Sequence, residues 1–144
     1  MKLLGTSVRQ PVDHVEPIPL EKGHNLSIVT FKVTEFTAVC PVTGQPDYYD
    51  ILIELKPKRS SIESKSLKLW LWQYRHTGIF CETLAEAVLE EVTTIIKPLT
   101  ARVTVSQASR GGIQVSSVSG SIEPPPHSFR SNLRPSKAER VTAS

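Results

Sequence analysis

The sequence predicts an α+β domain in which a four-stranded antiparallel sheet carries two helices on one face. Three observations support this fold class. Two pairs of segments alternate apolar and polar residues with a period of two, which is typical of half-buried strands. Two segments between these pairs repeat apolar residues at the spacing of amphipathic helices. Proline and glycine separate the segments, and the resulting order is strand, strand, helix, helix, strand, strand.

The first predicted hairpin follows an irregular, proline-containing arm over residues 1–25. The apolar positions of its two strands are Val29, Phe31 and Val33, and then Tyr49, Ile51, Ile53 and Leu55. The connection contains Pro41, Gly44 and Pro46, which favour turns and disfavour strands. A hairpin with a long functional loop is therefore expected.

Two amphipathic helices are predicted next. The apolar positions of the first helix are Leu67, Trp70, Leu71 and Tyr74. Either Ser61 or Ser64 is expected to cap its start, because serine hydroxyls accept hydrogen bonds from the first helical N–H groups. The second helix is expected between Glu82 and Pro98, with apolar positions at Leu84, Val88, Val92 and Ile95 or Ile96.

The second hairpin completes the predicted sheet. Its apolar positions are Ala101, Val103 and Val105 in one strand and Ile113, Val115 and Val118 in the other. The domain is therefore expected to span residues 26–118, while residues 119–144, with a Pro-Pro-Pro run and many serines, are expected to form a flexible tail. One such sheet leaves its edges open, so we expect identical subunits to pair their edges in a homo-oligomeric barrel.

The composition is typical of one globular domain in the cytoplasm. The chain has 144 residues, of which 39% are hydrophobic and 22% charged. No apolar run reaches the roughly 18 residues of a membrane-spanning helix, and the N-terminus lacks the apolar core of a signal peptide. Cys40 and Cys81 are then expected to be free thiols. The net charge of +3 comes partly from the tail, where solvated charges are favoured over contact with nucleic acid.

One of the cysteines lies in an unusual turn. The stretch FTAVCPVTGQPD places Cys40 before a proline and Asp47 seven residues later. Such a turn can expose sulfur and direct backbone N–H groups at it, which favours the nucleophilic thiolate. A buried, unreactive cysteine is the other interpretation. On spacing alone, Asp47 is a turn-forming or strand-capping acid.

A cluster of cations lies near the start of the first helix. Lys65 and Lys68 share a helix face, and Arg75 is close to them in sequence. The helix dipole is positive at the same end, so an anion such as phosphate would stabilise the cluster. Solvated lysines at a helix start are the alternative. Arg110, beside two glycines, is a further candidate for a phosphate contact.

Glu82 admits two interpretations. A carboxylate in the first turn of a helix is favourable by itself. The same carboxylate can also accept two parallel N–H bonds from the edge of a guanine-like ring. Metal binding is not expected, because no CxxC or HExxH motif occurs and the histidines are scattered.

Four stretches together resemble one family. FTAVCPVTGQPDYYD, IESKSLKLWLWQYRHTG, FCE and SRGG, in this order and spacing, closely resemble the QueF family of NADPH-dependent 7-cyano-7-deazaguanine reductases of queuosine biosynthesis, a tRNA-modification pathway. The resemblance is to the short, single-unit form and covers roughly residues 26–118. It implies the tunnelling fold, with the strand and helix order given above, and subunits in pentameric rings with active sites between them.

The resemblance also implies a chemistry. Cys40 would attack the nitrile carbon of 7-cyano-7-deazaguanine to form a covalent thioimide, and Asp47 would supply a proton to the nitrogen. NADPH would be the reductant, with Lys65, Lys68 and Arg110 as candidates for its phosphates. The residues implied in substrate binding are Ile62, Glu63, Ser64, Phe80, Cys81 and Glu82.

One position departs from the family pattern. Cys81 stands where the family usually has a histidine before the glutamate, and its sulfur is therefore expected in the same pocket as Cys40. Two alternatives to a reductase remain open. A related amidinotransferase would let ammonia attack the same thioimide, although such enzymes lack the ESKSLKLW signature. A non-catalytic tunnelling-fold protein would only bind purine-like ligands, although the presence of Cys40 and Asp47 argues against it.

Overall fold

The computed structural model describes residues 5–123, and most of the predicted tail lies outside these residues. The elements in chain order are the strands and helices β1 (Pro17–Pro19), β2 (Val29–Val39), β3 (Pro46–Lys56), β4 (Ser60–Ile62), α1 (Ser64–Trp72), α2 (Cys81–Ile96), β5 (Thr100–Arg110) and β6 (Ile113–Ser121). A short 3-10 helix, Gln73–His76, follows α1. No helix of the described residues combines the length and apolar character needed to span a membrane.

The main sheet has the predicted architecture. Its four strands are antiparallel in the order β2-β3-β5-β6, so that each hairpin contributes one inner and one edge strand. Ile51 lies opposite Val33 on β2 and opposite Val105 on β5, which aligns the apolar positions of neighbouring strands on one face. The α+β class and the order of these six elements are therefore confirmed.

A second, two-stranded sheet was missed by the sequence analysis. β1 pairs antiparallel with β4, with Pro17 opposite Ile62 and Pro19 opposite Ser60. Both strands are three residues long, too short to show a period, and β1 begins and ends with proline. Proline lacks a backbone donor and is confined to sheet edges or strand ends, so the arm was expected to be irregular. β4 leads directly into α1, and this small sheet therefore fixes where that helix begins.

The core lies between the main sheet and both helices. Alternate side chains of β3 and β5 are buried on one face, and the same apolar cluster contains Leu67, Trp70 and Leu71 of α1 together with Leu84, Val88 and Val92 of α2. Burying a large apolar side chain stabilises a fold by about 1.5–3 kcal/mol, so these layers dominate the stability of the domain.

The N-cap of α1 is Glu63 rather than the expected Ser61 or Ser64. Its carboxylate accepts hydrogen bonds from the N–H groups of Lys65, at 2.8 Å, and Ser66, at 2.7 Å. The longer side chain satisfies two backbone donors at once, and its negative charge lies at the positive end of the helix dipole. α2 begins at Cys81, one residue before the expected start, and ends at Ile96.

β2 contains a bulge that the sequence pattern does not reveal. Glu35 has a φ of 58°, and the register with β3 shifts between Val33 and Phe36. Such an irregularity inserts an extra residue and changes which side chains face inward. Odd-numbered residues face the core before the bulge, whereas Phe36 and Ala38 are buried after it. The end of β2 that leads to Cys40 is therefore rotated relative to its start.

β6 extends beyond the expected domain boundary at residue 118. Gly120 lies opposite Arg102, and Ser121 lies opposite Ala101. Gly120 has a φ of 80°, and a Cβ atom there would lie 2.3 Å from the carbonyl oxygen of Ala101 and 3.0 Å from Leu89 Cδ1. Only glycine fits this position, because both the backbone conformation and the close approach of neighbouring atoms exclude a side chain.

Gly120→Ala is expected to lower the free energy of unfolding by roughly 2–5 kcal/mol, since left-handed strain costs about 1–2 kcal/mol and overpacking about 1–3 kcal/mol. Gly23→Ala is the matched control, because Gly23 has a φ of 82° but open space around its Cα. Urea denaturation of the two variants measures the difference. Equal losses would show that the contacts with Ala101 and Leu89 contribute nothing.

Candidate active site

The strand ends that carry Cys40 and Asp47 meet the segment that leads into α2. The N–H of Val39 donates to the carbonyl of Thr77 at 3.0 Å, and the N–H of Ile79 donates to the carbonyl of Val39 at 3.1 Å. A Cβ atom on Gly78 would lie 3.3 Å from the Cα of Pro41, so the two segments pack closely. These contacts hold the residues that follow Ile79 beside the Cys40 turn.

The turn after β2 is closed by its own hydrogen bonds. The N–H of Cys40 donates to the carbonyl of Gln45 at 2.8 Å, and the N–H of Gly44 donates to the carbonyl of Cys40 at 2.9 Å. Gly44 has a φ of 70°, which a glycine adopts without strain. Asp47 follows in register with Ala38, so both predicted reactive side chains belong to one hairpin end.

The turn favours the thiolate form of Cys40. The side-chain hydroxyl of Thr43 lowers the pKa of Cys40, and the backbone N–H groups of Thr43 and Val42 lower it further. Partial burial and the negative charge of Asp47 oppose this effect without cancelling it. Hydrogen bonds to the charged form of an acid favour that form, so the turn increases the nucleophilic fraction of the sulfur at neutral pH.

Thr43→Val is expected to move the midpoint of Cys40 alkylation to higher pH, because valine keeps the shape and the backbone N–H but removes the hydroxyl. The rate of reaction with iodoacetamide, followed against pH, measures this shift. Thr94→Val, at an exposed position of α2, is the control and should leave the midpoint unchanged. An unchanged midpoint in Thr43→Val would mean that the backbone donors alone stabilise the thiolate.

Asp47 is buried, with 5% of its surface exposed, and its partner is Arg110. Arg110 Nη1 donates to Asp47 Oδ1 at 3.2 Å, and Arg110 Nη2 donates to Gln107 Oε1 at 2.9 Å. From the sequence, Arg110 is a candidate for a contact with a cofactor phosphate, whereas in the structure its guanidinium contacts Asp47, the candidate proton donor. This partnership has no local sequence signal, since it joins residues 63 positions apart.

Consecutive residues at the start of α2 face opposite environments. Phe80, at the N-cap, is 53% exposed, and Glu82 is also exposed, with no hydrogen-bond partner among the described residues. Cys81 is buried at 2% exposure, and its Sγ donates to the carbonyl of Val105 at 3.4 Å. The helix turns this side chain toward β5, whereas the sequence predicts its sulfur in the same pocket as Cys40.

The predicted substrate-contacting run before α1 is mostly buried. Ile62 and Glu63 are 3% and 5% exposed, and the carboxylate of Glu63 is occupied by the helix cap. Ser64 is exposed at the first position of α1. Of these three residues, Ser64 is therefore the one whose side chain is accessible in the described chain.

A groove of about 910 Å³ lies between β2 and α1. Its walls carry the cations Lys32, Lys68 and Arg75 and apolar side chains that include Phe31, Leu71 and Trp72. Cations suit the phosphates of a dinucleotide, and apolar walls suit its rings, so this lining fits NADPH. Lys32 was missed by the sequence analysis, because a single lysine in an alternating strand gives no signal. Lys65 donates to the carbonyl of Thr6 in the arm.

A comparison with protein families matches residues 46–125 of the chain to the model described as QueF-like protein. A protein of Syntrophus aciditrophicus named NADPH-dependent 7-cyano-7-deazaguanine reductase is 43% identical over 115 residues, which cover 80% of this chain and 81% of the relative. A protein of Nitrosococcus oceani with the same name is 39% identical over 67% of this chain and 72% of the relative.

Among solved structures, the crystal structure of an archaeosine synthase described as QueF-Like, in the apo form, is similar to this chain. It superimposes with a TM-score of 0.64 at 27% sequence identity, over 71% of this chain and 100% of that chain. The family match includes Asp47 and Glu82, while Cys40 lies a few residues before its start.

Proposed function

This chain belongs to the QueF-like family, and from that premise we propose that it is an NADPH-dependent 7-cyano-7-deazaguanine reductase of queuosine biosynthesis, acting in the cytoplasm. The observation that carries the proposal is the turn that favours the Cys40 thiolate, with buried Asp47 on the same hairpin end. This arrangement suits addition of sulfur to a nitrile, a group that a hydride alone reduces poorly.

The first step is covalent. The Cys40 sulfur attacks the nitrile carbon, so that a carbon–sulfur bond forms and one carbon–nitrogen π bond breaks. The electron pair of that bond goes to nitrogen, where a proton carried by Asp47 neutralises it. The product is a thioimide, whose carbon–nitrogen double bond accepts hydride. The proton that Cys40 loses when its thiolate forms balances the proton that Asp47 delivers to the nitrogen, so the step consumes no net acid.

Glu82 orients the substrate by its pyrimidine edge. A ring N–H and the neighbouring exocyclic amine donate side by side, and a carboxylate accepts two such bonds. The exposed Glu82 lies in the first turn of α2, where a negative charge interacts favourably with the helix dipole. Phe80, exposed two residues earlier, would border the ring.

NADPH supplies the reducing power when bound: two hydrides with two protons convert the nitrile into the aminomethyl group. Lys68 and Arg75 would hold its phosphates in the groove between β2 and α1, and the apolar walls would exclude water from its rings. Lys65 remains a further candidate at the same helix start.

Lys68→Ala is expected to weaken NADPH binding by about 10-fold, since a charge-assisted hydrogen bond contributes about 1.5 kcal/mol or more. Formation of the thioimide in the absence of NADPH should stay at the wild-type rate. Calorimetry with NADPH and intact-mass analysis of the adduct measure the two effects separately. The exposed Lys58 provides the control variant, Lys58→Ala. An equal loss of adduct formation in Lys68→Ala would instead indicate a structural role.

The proposed assembly follows from the two edge strands. Among the described residues, β2 and β6 are the two edge strands of the four-stranded sheet, and open edges in a protein must be covered or paired. Pairing of β2 with β6 of the next subunit would close a barrel of the tunnelling-fold type. We propose pentameric rings, with the groove beside β2 near the junction of two subunits.

One experiment tests the function as a whole. Purified protein is mixed with 7-cyano-7-deazaguanine, first without and then with NADPH. A mass increase equal to the substrate, followed by oxidation of NADPH, supports the reductase. An adduct without oxidation of NADPH would indicate the amidinotransferase alternative, in which ammonia replaces hydride. Absence of an adduct would indicate a binding protein without catalysis.

A further inference from the structure

A chain of hydrogen bonds connects Asp47 to the segment that leads into α2. Arg110 donates to Asp47 and to Gln107 Oε1, and Gln107 Nε2 donates to the hydroxyl of Tyr49 at 3.4 Å. The Tyr49 hydroxyl donates to the carbonyl of Ile79 at 3.5 Å. This series of hydrogen bonds thus begins at Asp47, the candidate proton donor, and ends at Ile79, directly before Phe80 and three residues before Glu82.

The chemistry of Arg110 and Gln107 determines the direction in which these hydrogen bonds are donated. Arginine only donates, and a glutamine accepts at its oxygen while it donates at its nitrogen. Burial raises the pKa of Tyr49, and the nearby charge of Asp47 raises it further, so the phenol keeps its proton as a donor to Ile79. A reversal at Arg110 or Gln107 would leave a neighbour unsatisfied, whereas the Tyr49 hydroxyl also has a side-chain hydrogen bond with Asp47.

The backbone of β5 is shaped to bring Arg110 into this chain. Odd-numbered side chains of β5 face the core up to Gln107, which is 4% exposed. The register with β6 then shifts between Gln107 and Arg110. After this irregularity the even-numbered Arg110 reaches the inward-facing Gln107 and Asp47, which a regular strand would place on the other side.

We propose that Arg110 and Gln107 are positioning residues that hold the Asp47 carboxylate toward the Cys40 turn, and that Tyr49 couples this carboxylate to the segment carrying Glu82. The proposal rests on the reductase function proposed above. It assigns Arg110 a role different from a cofactor contact, because its guanidinium donates to Asp47 and Gln107 and because it does not line the cationic groove.

A second arginine–carboxylate pair on the same two strands provides a control. Arg102 of β5 contacts Glu54 of β3 at 2.7 Å, and these residues lie opposite each other in the sheet. The Arg102 and Arg110 side chains are 42% and 52% exposed, whereas the side chains of their partners Glu54 and Asp47 are 17% and 7% exposed. The two pairs differ in the carboxylate that the arginine contacts. Glu54 belongs to no candidate site, whereas Asp47 belongs to the same hairpin end as the candidate nucleophile Cys40.

The test measures the rate of thioimide formation in the full-length protein without NADPH. Arg110→Ala is expected to slow this step by at least about 10-fold, as part of the roughly 10²- to 10⁴-fold that a positioned proton donor contributes. Gln107→Leu is expected to slow it by a smaller factor, and Arg110→Lys or added millimolar guanidinium should restore part of the rate. Arg102→Ala should remain within about twofold of wild type.

Measuring substrate affinity distinguishes a positioning role of Arg110 from a structural role in the fold. In a Cys40→Ala background, the Arg110→Ala variant should bind the substrate as tightly as Cys40→Ala alone. The reason is that the hydrogen-bond series orients the proton donor Asp47 and does not contact the substrate ring. An unchanged adduct rate together with a raised Michaelis constant for NADPH would overturn the proposal in favour of a cofactor contact. A parallel loss of affinity and rate, without rescue by guanidinium or by lysine, would overturn it in favour of a structural role.

Different results would refute the positioning role and the reductase function on which it rests. If wild-type protein forms no adduct, both the reductase function and the positioning role are wrong. If wild-type protein forms the adduct and Arg110→Ala and Gln107→Leu form it equally fast, the function stands and the positioning role is wrong.

Discussion

Replacing Cys40 with alanine is expected to abolish both the covalent adduct and all turnover. No other thiol can take its place, since the second cysteine, Cys81, is buried and directed at the carbonyl of Val105. Cys40 lies in a turn whose backbone bonds do not involve its side chain, so the fold should survive. Intact-mass analysis after incubation with substrate, and NADPH oxidation under saturating conditions, measure the two losses.

Cys81→Ala is the matched control for this variant. It removes the second thiol of the chain from the interior and should reduce stability moderately, as expected when a small buried group leaves a cavity. The adduct should still form at close to the wild-type rate. An adduct of the substrate's mass on Cys40→Ala would refute the assignment of the nucleophile, and loss of the adduct in Cys81→Ala would show that Cys81 takes part in the reaction.

Glu82→Gln is expected to weaken substrate binding by roughly 10- to 150-fold, or about 1.5–3 kcal/mol. Glutamine keeps the shape but replaces one acceptor with a donor, so that a donor of the substrate would face another donor. Calorimetry in a Cys40→Ala background measures this loss without the covalent step. Glu86→Gln, at an exposed position of the same helix, controls for the change of charge. Unchanged affinity in Glu82→Gln would remove this residue from the site.

The hydrophobic period was sufficient to predict the strands and helices of the main layer. Ile51 and Ile53 in β3 and Leu84 and Val88 in α2 repeat at the spacings of a strand and a helix because one side of each element is buried. Hydrophobic periodicity does not predict the structure where the backbone departs from regular strand geometry. The bulge at Glu35 offers no proline or glycine, and its left-handed conformation is set by the pairing of β2 with β3.

The candidate site was predictable only where neighbours in sequence are also neighbours in space. Cys40, Asp47 and Glu82 each occur in a distinctive short stretch, and their roles remain predictions. The contact between Arg110 and Asp47 depends on the pairing of β3 with β5 and on a strand irregularity, which no local pattern contains. The direction of the Cys81 side chain likewise depends on where α2 begins, and a shift of one residue turns a helical side chain by about 100°.

The bulge in β2 also restricts how this part of the gene can change during evolution. Side chains of a strand alternate between two faces, so the loss or gain of one codon between the bulge and Cys40 would exchange the faces of all residues in between. Phe36 and Ala38, now buried, would be turned outward, and the nucleophile would be presented to the opposite side of the sheet. We therefore expect this stretch to accept substitutions more readily than insertions or deletions, and a length change would have to come in pairs of codons to preserve the reactive face.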